Sequence, residues 1–321
     1  ISEHPPGTPA LGDHYHARNR IISGLSLGVV AVECRLSSGT MITAGRALEQ
    51  DRDLFAVPGA VDMVMSEGTN RLIQQGANIV VADLNEAVGA KTVENLNALA
   101  KSNRAIFVKT NVADTASLRE LIHKTVCAFG GLDVFISNAG VLRAGGLEEM
   151  TPENFEFVTK INYNAYFYCA QAASRVMKLQ NKYCEENYCD IIQINSKSGL
   201  RGSKANFAYA GGKFGGIGLT QSFALELAPF RIKVNAVCPG NFYEGPLWSN
   251  PENGLFLQYL HAGKVPGAKT VEDVRAFYMA QVPMRKGTGP EDVTKAVLYL
   301  IDQTCETGQA LPVTGGQVML S

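Results

Sequence analysis

Tyr209 and Lys213 stand four residues apart in the run Phe-Ala-Tyr-Ala-Gly-Gly-Lys, residues 207–213. On a helix that spacing places the two side chains one above the other on one face. An ammonium beside a phenol favours phenolate, so such a phenol exchanges protons well below its free pKa of about 10. Ser196 lies thirteen residues before Tyr209, just after the apolar run Ile191-Ile192-Gln193-Ile194. A hydroxyl there can hold a carbonyl or alcohol oxygen while the phenol moves the proton. A Tyr and a Lys at this spacing also occur on ordinary solvated helices, so the pair acquires meaning only from its surroundings.

Those surroundings alternate strands and helices. Apolar runs at 78–82, 105–109, 134–136, 191–194 and 232–237 read as strands, with helical patterns over 118–129 and 155–178 between them. Small or polar residues follow the strand ends: Asp83, Asn111-Val112, Asn138-Ala139-Gly140, Ser196 and Pro239-Gly240. Asn162 falls within the helical stretch 155–178.

In order and approximate spacing, Asn138-Ala139-Gly140, Asn162, Ser196, Tyr209, Lys213 and Pro239-Gly240 resemble the short-chain dehydrogenase/reductase family over about residues 77–321. The resemblance implies an α/β fold built on a Rossmann-like doubly wound parallel sheet. It also implies an NAD-dependent oxidoreductase in which an Asn-Ser-Tyr-Lys tetrad transfers a proton while a nicotinamide transfers hydride. Carried over, Tyr209 is the acid/base, Lys213 lowers its pKa and holds the ribose, Ser196 orients substrate, and Asn162 anchors a proton-relay water. Tyr209 and Lys213 then touch the cofactor, together with Asn138, Ala139, Gly140, Pro239 and Gly240. Asp83 ends the family's second strand. A carboxylate there can accept both ribose hydroxyls and repel a 2′-phosphate, which favours NAD over NADP; an N-cap is the alternative role. Asn111, followed by Val112, stands where the family usually has an Asp against the adenine, and an amide changes the donor and acceptor roles.

Within that family, the runs IIQINSKSG (191–199), GSKAN (202–206), VPMRKG (282–287) and TGQALPVTGGQVML (307–320) resemble the sorbitol-6-phosphate 2-dehydrogenases. The implied reaction is oxidation of the C2 alcohol of a hexitol phosphate to fructose 6-phosphate. Lys197, Arg201 and Lys204 cluster after Ser196 as donors for a sugar phosphate, Arg201 being capable of a bidentate grip; a solvated basic loop is the alternative. The stretch Asn241-Phe242-Tyr243-Glu244-Gly245 lacks the Thr that many members place after the Pro-Gly. Residues 241–285, with Trp248, Tyr259 and Phe277, correspond to the region that closes over substrate in the family.

The first 76 residues read differently. The runs SEHPPGTP (2–9), RNRIISGLSLG (18–28), SGTMITAGRALEQ (38–50), FAVPG (55–59) and GTNRLIQQGA (68–77) resemble the DNA-processing protein A family. The resemblance makes 1–76 a fragment of that family's Rossmann-like domain, joined near Gly76-Ala77 to a dehydrogenase domain at 77–321, and it gives Arg18 and Arg20 as candidate phosphate contacts. The strand at 54–57 and a short helix at 69–75 then supply the first βα unit of the dehydrogenase sheet. The glycine-rich turn that admits a pyrophosphate should fall at 59–65. Gly59 can serve as its first glycine, but Met63 and Met65 occupy the other two positions and Asp62 adds a like charge. A poor phosphate cradle and impaired activity are therefore expected. A strand at 29–32 has no vacant place in such a sheet, so residues 1–50 are expected outside the central positions of one sheet running from 54 to 313.

Of 321 residues, 46% are hydrophobic and 18% charged, enough for a sizeable core, and the net charge of −1 argues against nucleic acid as a general partner. The seven cysteines are scattered, with Cys184 and Cys189 the one close pair, so no metal site is read and reduced thiols in a cytoplasmic protein are expected. The longest apolar run, 21–32, is too short and interrupted to span a membrane, and no signal peptide is read. The chain opens at Ile1 rather than Met, as a fragment would. The family resemblance implies a small-molecule substrate and a homo-oligomer. The competing readings are a single-stranded DNA-binding fragment and an inactive chimera.

Overall fold

The computed structural model describes residues 28–32, 53–57, 78–100, 104–252, 254–261, 263 and 265–319. Within them β1 (Gly28–Val32), β2 (Asp53–Val57) and β3 (Ile79–Asp83) precede α1 (Glu86–Ala100), β4 (Ala105–Lys109), α2 (Thr115–Phe129) and β5 (Val134–Ser137). There follow α3 (Pro152–Thr159), a π-helical turn (Lys160–Asn164), α4 (Ala165–Tyr183), β6 (Cys189–Ile194), a short 3-10 turn (Lys197–Gly199), α5 (Phe207–Leu227) and β7 (Ile232–Pro239). The chain ends with α6 (Pro246–Ser249), α7 (Leu255–His261), α8 (Val271–Ala280), α9 (Pro290–Asp302) and β8 (Ala310–Val313).

Every strand pairing is parallel, as a doubly wound α/β sheet requires. β6 and β7 are covered on both faces, which is why they read as nearly unbroken buried runs rather than as alternating ones. Adjacent side chains still point to opposite layers. Ile192 and Val237 pack with Leu96 of α1 and with Val297 and Leu300 of α9. Ile191 and Val234 pack on the other face with Ala173 and Met177 of α4 and Leu227 of α5. Each fully buried Ile, Leu or Met contributes about 1.5–3 kcal/mol relative to exposure. Helix starts are fixed locally: Asp114 accepts the Ala116 N–H ahead of α2, and Thr151 accepts the Asn154 N–H ahead of Pro152. Residues 241–282 build a separate aromatic core around Tyr243, Trp248 and Phe256.

Two expectations are corrected. Among the described residues the hydrogen-bonded ladder is not one sheet but three: β1–β2, β3–β4 and β5–β6–β7–β8. The strand at 29–32, expected to find no vacant place beside the strand at 54–57, pairs with it: Val29 with Leu54 and Val32 with Val57. β2 comes alongside β3, and β1 lies against α9. The physical reason is the strand edge. Unpaired backbone N–H and C=O groups are costly, so two short neighbouring strands keep each other as partners. The expectations at Gly59, Asp62, Met63, Met65, Arg18, Arg20 and the 76/77 join lie outside the described residues.

Candidate active site

Parallel strands bring Asp83, Asn138 to Gly140, Ser196 and Pro239-Gly240 to carboxyl ends, the side on which open α/β sheets bind ligands. α5 starts just beyond Ser196 and carries Tyr209 and Lys213 in its first two turns. The Lys213 ammonium lies 5.6 Å from the centroid of the Tyr209 ring. It donates to the carbonyl of Ile194 at 2.8 Å, which pins it to the end of β6. Lys213 is only 4% exposed, and burial pushes its ammonium down to about 8.

The phenol corrects a sequence expectation. Burial raises Tyr209 above the ordinary tyrosine value; a hydrogen bond from Ser196 pulls the other way, and Cys238 adds to the rise. The depressed phenol expected from the Tyr–Lys spacing is not what this arrangement gives, because both side chains are desolvated together and the ammonium is spent on a carbonyl. Ser196 is brought to Tyr209 by its place at the strand end. Its hydroxyl also accepts the Ser198 N–H at 3.1 Å, capping the 3-10 turn.

Asn162 sits in the π-helical turn that joins α3 to α4, not on the continuous helix expected at 155–178. The extra backbone width turns its side chain toward the loop after β5, a distortion common at functional sites. Its Oδ1 accepts the Val141 N–H at 2.9 Å and its Nδ2 donates to the Val141 carbonyl at 2.7 Å. That double bond pins the loop carrying Asn138, Ala139 and Gly140. A Cβ on Gly140 would stand 3.1 Å from Asn162 Oδ1 and 3.8 Å from Lys213 Nζ, so only glycine leaves that approach open. A narrow cleft lined by Val112, Ala139, Asn162, Gln193, Ile194 and Lys213 opens here.

The adenosine side is less built. Asp83 is exposed, and its Oδ1 accepts the Asn85 N–H at 2.8 Å; the N-cap of α1 is Asn85, whose Oδ1 accepts the Val88 N–H at 3.1 Å, so the capping alternative does not fall on Asp83. Asn111 Oδ1 is taken by the Ala113 N–H at 3.0 Å. Gly240 is fixed by its own N–H to Val313 O at 2.9 Å. The residues present fit a dinucleotide at its ribose ends, through Asp83 on one side and the Gly140 opening beside Lys213 on the other. Lys197 is half-buried and pushed down to about 8, by burial first and by Arg201 second. Arg201 and Lys204 are exposed.

Sequence reading missed Cys238 and Asn195. Cys238 lies beside Tyr209 and Lys213, its thiol pushed up to about 12 by burial. Asn195 joins Ser196 to Lys213 through hydrogen bonds that span 18 positions, for which sequence spacing carries no signal. Among the described residues no cluster of three metal-ligating side chains occurs, and no helix is long and apolar enough to cross a membrane.

The family model for short chain dehydrogenases matches residues 57–250, and that for DNA recombination-mediator protein A matches residues 1–89. Sorbitol-6-phosphate 2-dehydrogenase of Escherichia coli is 33% identical over 253 residues, 77% of this chain and 92% of that protein. The crystal structure of sorbitol-6-phosphate 2-dehydrogenase from Erwinia amylovora superposes with a TM-score of 0.71 at 34% identity, covering 78% of this chain and 94% of that one. An NAD+-bound xylitol dehydrogenase gives a TM-score of 0.67 at 27% identity, covering 77% and 91%.

Proposed function

The chain belongs to the short-chain dehydrogenase family, and on that premise we propose that it transfers hydride between NAD and a polyol or polyol phosphate. Sorbitol 6-phosphate going to fructose 6-phosphate is the specific reaction proposed. The observation that carries this is the Ser196 side chain beside the Tyr209 phenol, with the Lys213 ammonium 5.6 Å from the same ring. NAD, when bound, accepts the hydride from the alcohol carbon. Ser196 holds the substrate oxygen, and Tyr209 takes the hydroxyl proton. Lys213 supplies the positive charge that offsets the cost of a buried phenolate. Asn162 holds the loop that borders the cleft and is the proposed anchor of a relay water. Asp83 has one carboxylate oxygen committed to Asn85, leaving the other for a ribose hydroxyl, which favours NAD over NADP.

Lys197 and Arg201 are the proposed phosphate donors, with Lys204 at the rim. Burial first and Arg201 second hold Lys197 low, and a phosphate between Lys197 and Arg201 would relieve the repulsion between them. The two family models overlap at 57–89, which supports a boundary near 76/77, and impaired turnover follows from the sequence at Met63 and Met65. A cytoplasmic homo-oligomer is part of the same proposal, supported by exposed Phe167 on α4 and Leu225 on α5.

The test is NADH formation from sorbitol 6-phosphate and from sorbitol, with the parent protein and with Tyr209→Phe. Turnover of the phosphorylated substrate, lost by about a hundredfold or more in Tyr209→Phe, is expected. Equal use of both substrates would refute the phosphate site, and turnover surviving in Tyr209→Phe would refute the tetrad. The match of residues 1–89 to a DNA recombination mediator favours a second reading, single-stranded DNA binding. Retention on single-stranded DNA at physiological salt, without NAD-linked turnover, would support it.

A further inference from the structure

Between Ser196 and Lys213 lies a buried amide network that takes no part in the chemistry above. Asn195 is 4% exposed and Gln193 2%. Asn195 Nδ2 donates to the backbone carbonyl of Lys213 at 2.9 Å and to Gln193 Oε1 at 2.7 Å. Its Oδ1 accepts the Ser196 N–H at 2.8 Å. One side chain therefore grips the backbone of two tetrad members. Lys213 is tied twice to the end of β6, by its carbonyl to Asn195 and by its ammonium to Ile194 O at 2.8 Å.

The two glycines that face this network leave no room for a side chain of their own. A Cβ on Gly199 would stand 2.3 Å from Asn195 Oδ1, and a Cβ on Gly216 would stand 2.6 Å from Gln193 Nε2 and 3.1 Å from Asn195 Nδ2. The position also needs an amide in particular. Two donors face two carbonyl oxygens and one acceptor faces an N–H, so a carboxylate of the same size would set acceptor against acceptor.

We propose that Asn195 is a positioning residue, which sets the distance between the Ser196 hydroxyl on the strand end and the Tyr209–Lys213 pair on α5. This rests on the tetrad reading given above. Reacting groups held by a rigid shell lose rate steeply when that shell loosens: a displacement of about 1 Å costs on the order of a hundredfold. Losing the Asn195 amide should therefore act on kcat more than on KM.

The experiment compares Asn195→Ala and Asn195→Asp with Asn181→Ala in the full chain. Asn181 is an equally buried amide, 2% exposed, donating to Phe230 O at 2.8 Å near the opposite end of β6. All three variants should lower the melting temperature. Only the Asn195 variants should lower kcat, by about tenfold to a hundredfold, with KM little changed and the kcat–pH midpoint displaced. Amide hydrogen exchange over residues 194–213 should accelerate in the same two variants alone, a readout that needs no turnover and serves even where Asn195→Asp folds and Asn195→Ala does not. If the Asn195 variants keep kcat as Asn181→Ala does, or leave exchange over 194–213 unchanged, the inference fails. If instead Tyr209→Phe retains turnover, it is the tetrad reading that fails.

Discussion

Two lysines are buried at opposite ends of the β6–β7 pair, and they are buried differently. At the amino end, Lys233 of β7 faces Asp190 of β6 in register, with 3.1 Å between ammonium and carboxylate. Its ammonium also donates to the carbonyls of Leu300, Ile301 and Gln303, closing the C-terminus of α9. Cations are favoured there by the helix dipole as well as by the orphan carbonyls. At the carboxyl end, Lys213 has one carbonyl, a phenol and a thiol for company. Both side chains have left water. One has its charge compensated by a carboxylate and three acceptors, whereas the other is left short of partners and is pushed down to about 8. A buried charge with full compensation fastens a helix to a sheet; one left under-compensated can still respond to a new negative charge, such as a phenolate.

The comparison breaks most visibly at Lys233. Lys233→Met should cost about 3–5 kcal/mol, because three carbonyls lose their donor and Asp190 loses its counter-charge. Asp190, already held up to about 7, can take up a proton and so keep the loss from growing further. Urea unfolding measures the loss, and kcat of the folded fraction should not change. A loss under about 1 kcal/mol would show that α9 is held by packing alone.

Lys213→Met should do the reverse. The folded protein binds Lys213's proton less tightly than the unfolded chain does, so between about 8 and the ordinary lysine value of 10.5 its stability rises with pH. At neutral pH the buried ammonium is therefore a cost, and removing it should leave stability unchanged or higher. Turnover should fall by about a hundredfold, with the remaining activity moved to higher pH, where a phenol without a nearby cation ionises. Stability and turnover falling together would mean that the two lysines do the same work.

What the sequence made legible was local. The four-residue step from Tyr209 to Lys213 is a helix property, and Ser196 follows an apolar run that could only be a strand; both are where the pattern put them. The parallel α/β architecture was legible from the alternation of such runs. What escaped depends on burial and on distant partners. Whether Tyr209 is raised or lowered turns on desolvation, which no spacing reports. Asn162 sits on a π-helical turn that a regular helical pattern does not betray. The β1–β2 pairing was missed because vacancies were counted in one sheet, while strand edges are satisfied pair by pair.

The smallest effect, and the one that sharpens the comparison, is the pH response of Asp190. Burial raises its carboxyl from 3.8 to about 7; Lys233 opposes the rise and Asp302 adds to it. Cys189, with Asp133 near it, also borders the group, and its thiol is raised by burial so that it brings no charge at neutral pH. Lys233 Nζ is close to Asp190 Oδ1, but its directed hydrogen bonds go to the carbonyls at the end of α9, so the carboxylate gains proximity to charge without a well-aligned donor. A folded-state pKa above the unfolded value means that the folded protein holds the proton more tightly. The stabilisation is complete below about 4 and is lost as pH rises through about 7. Asp190→Asn removes that titration, and with it the counter-charge of Lys233, whose loss adds an offset present wherever Asp190 is ionised. The difference in unfolding free energy between parent and variant should thus move against the parent as pH rises from about 4 to about 7, and level off above. A parent that instead gains on the variant over this range would show Asp190 ionised throughout, held by Lys233 as a full ion pair, and the contrast between the two lysines would be sharper still.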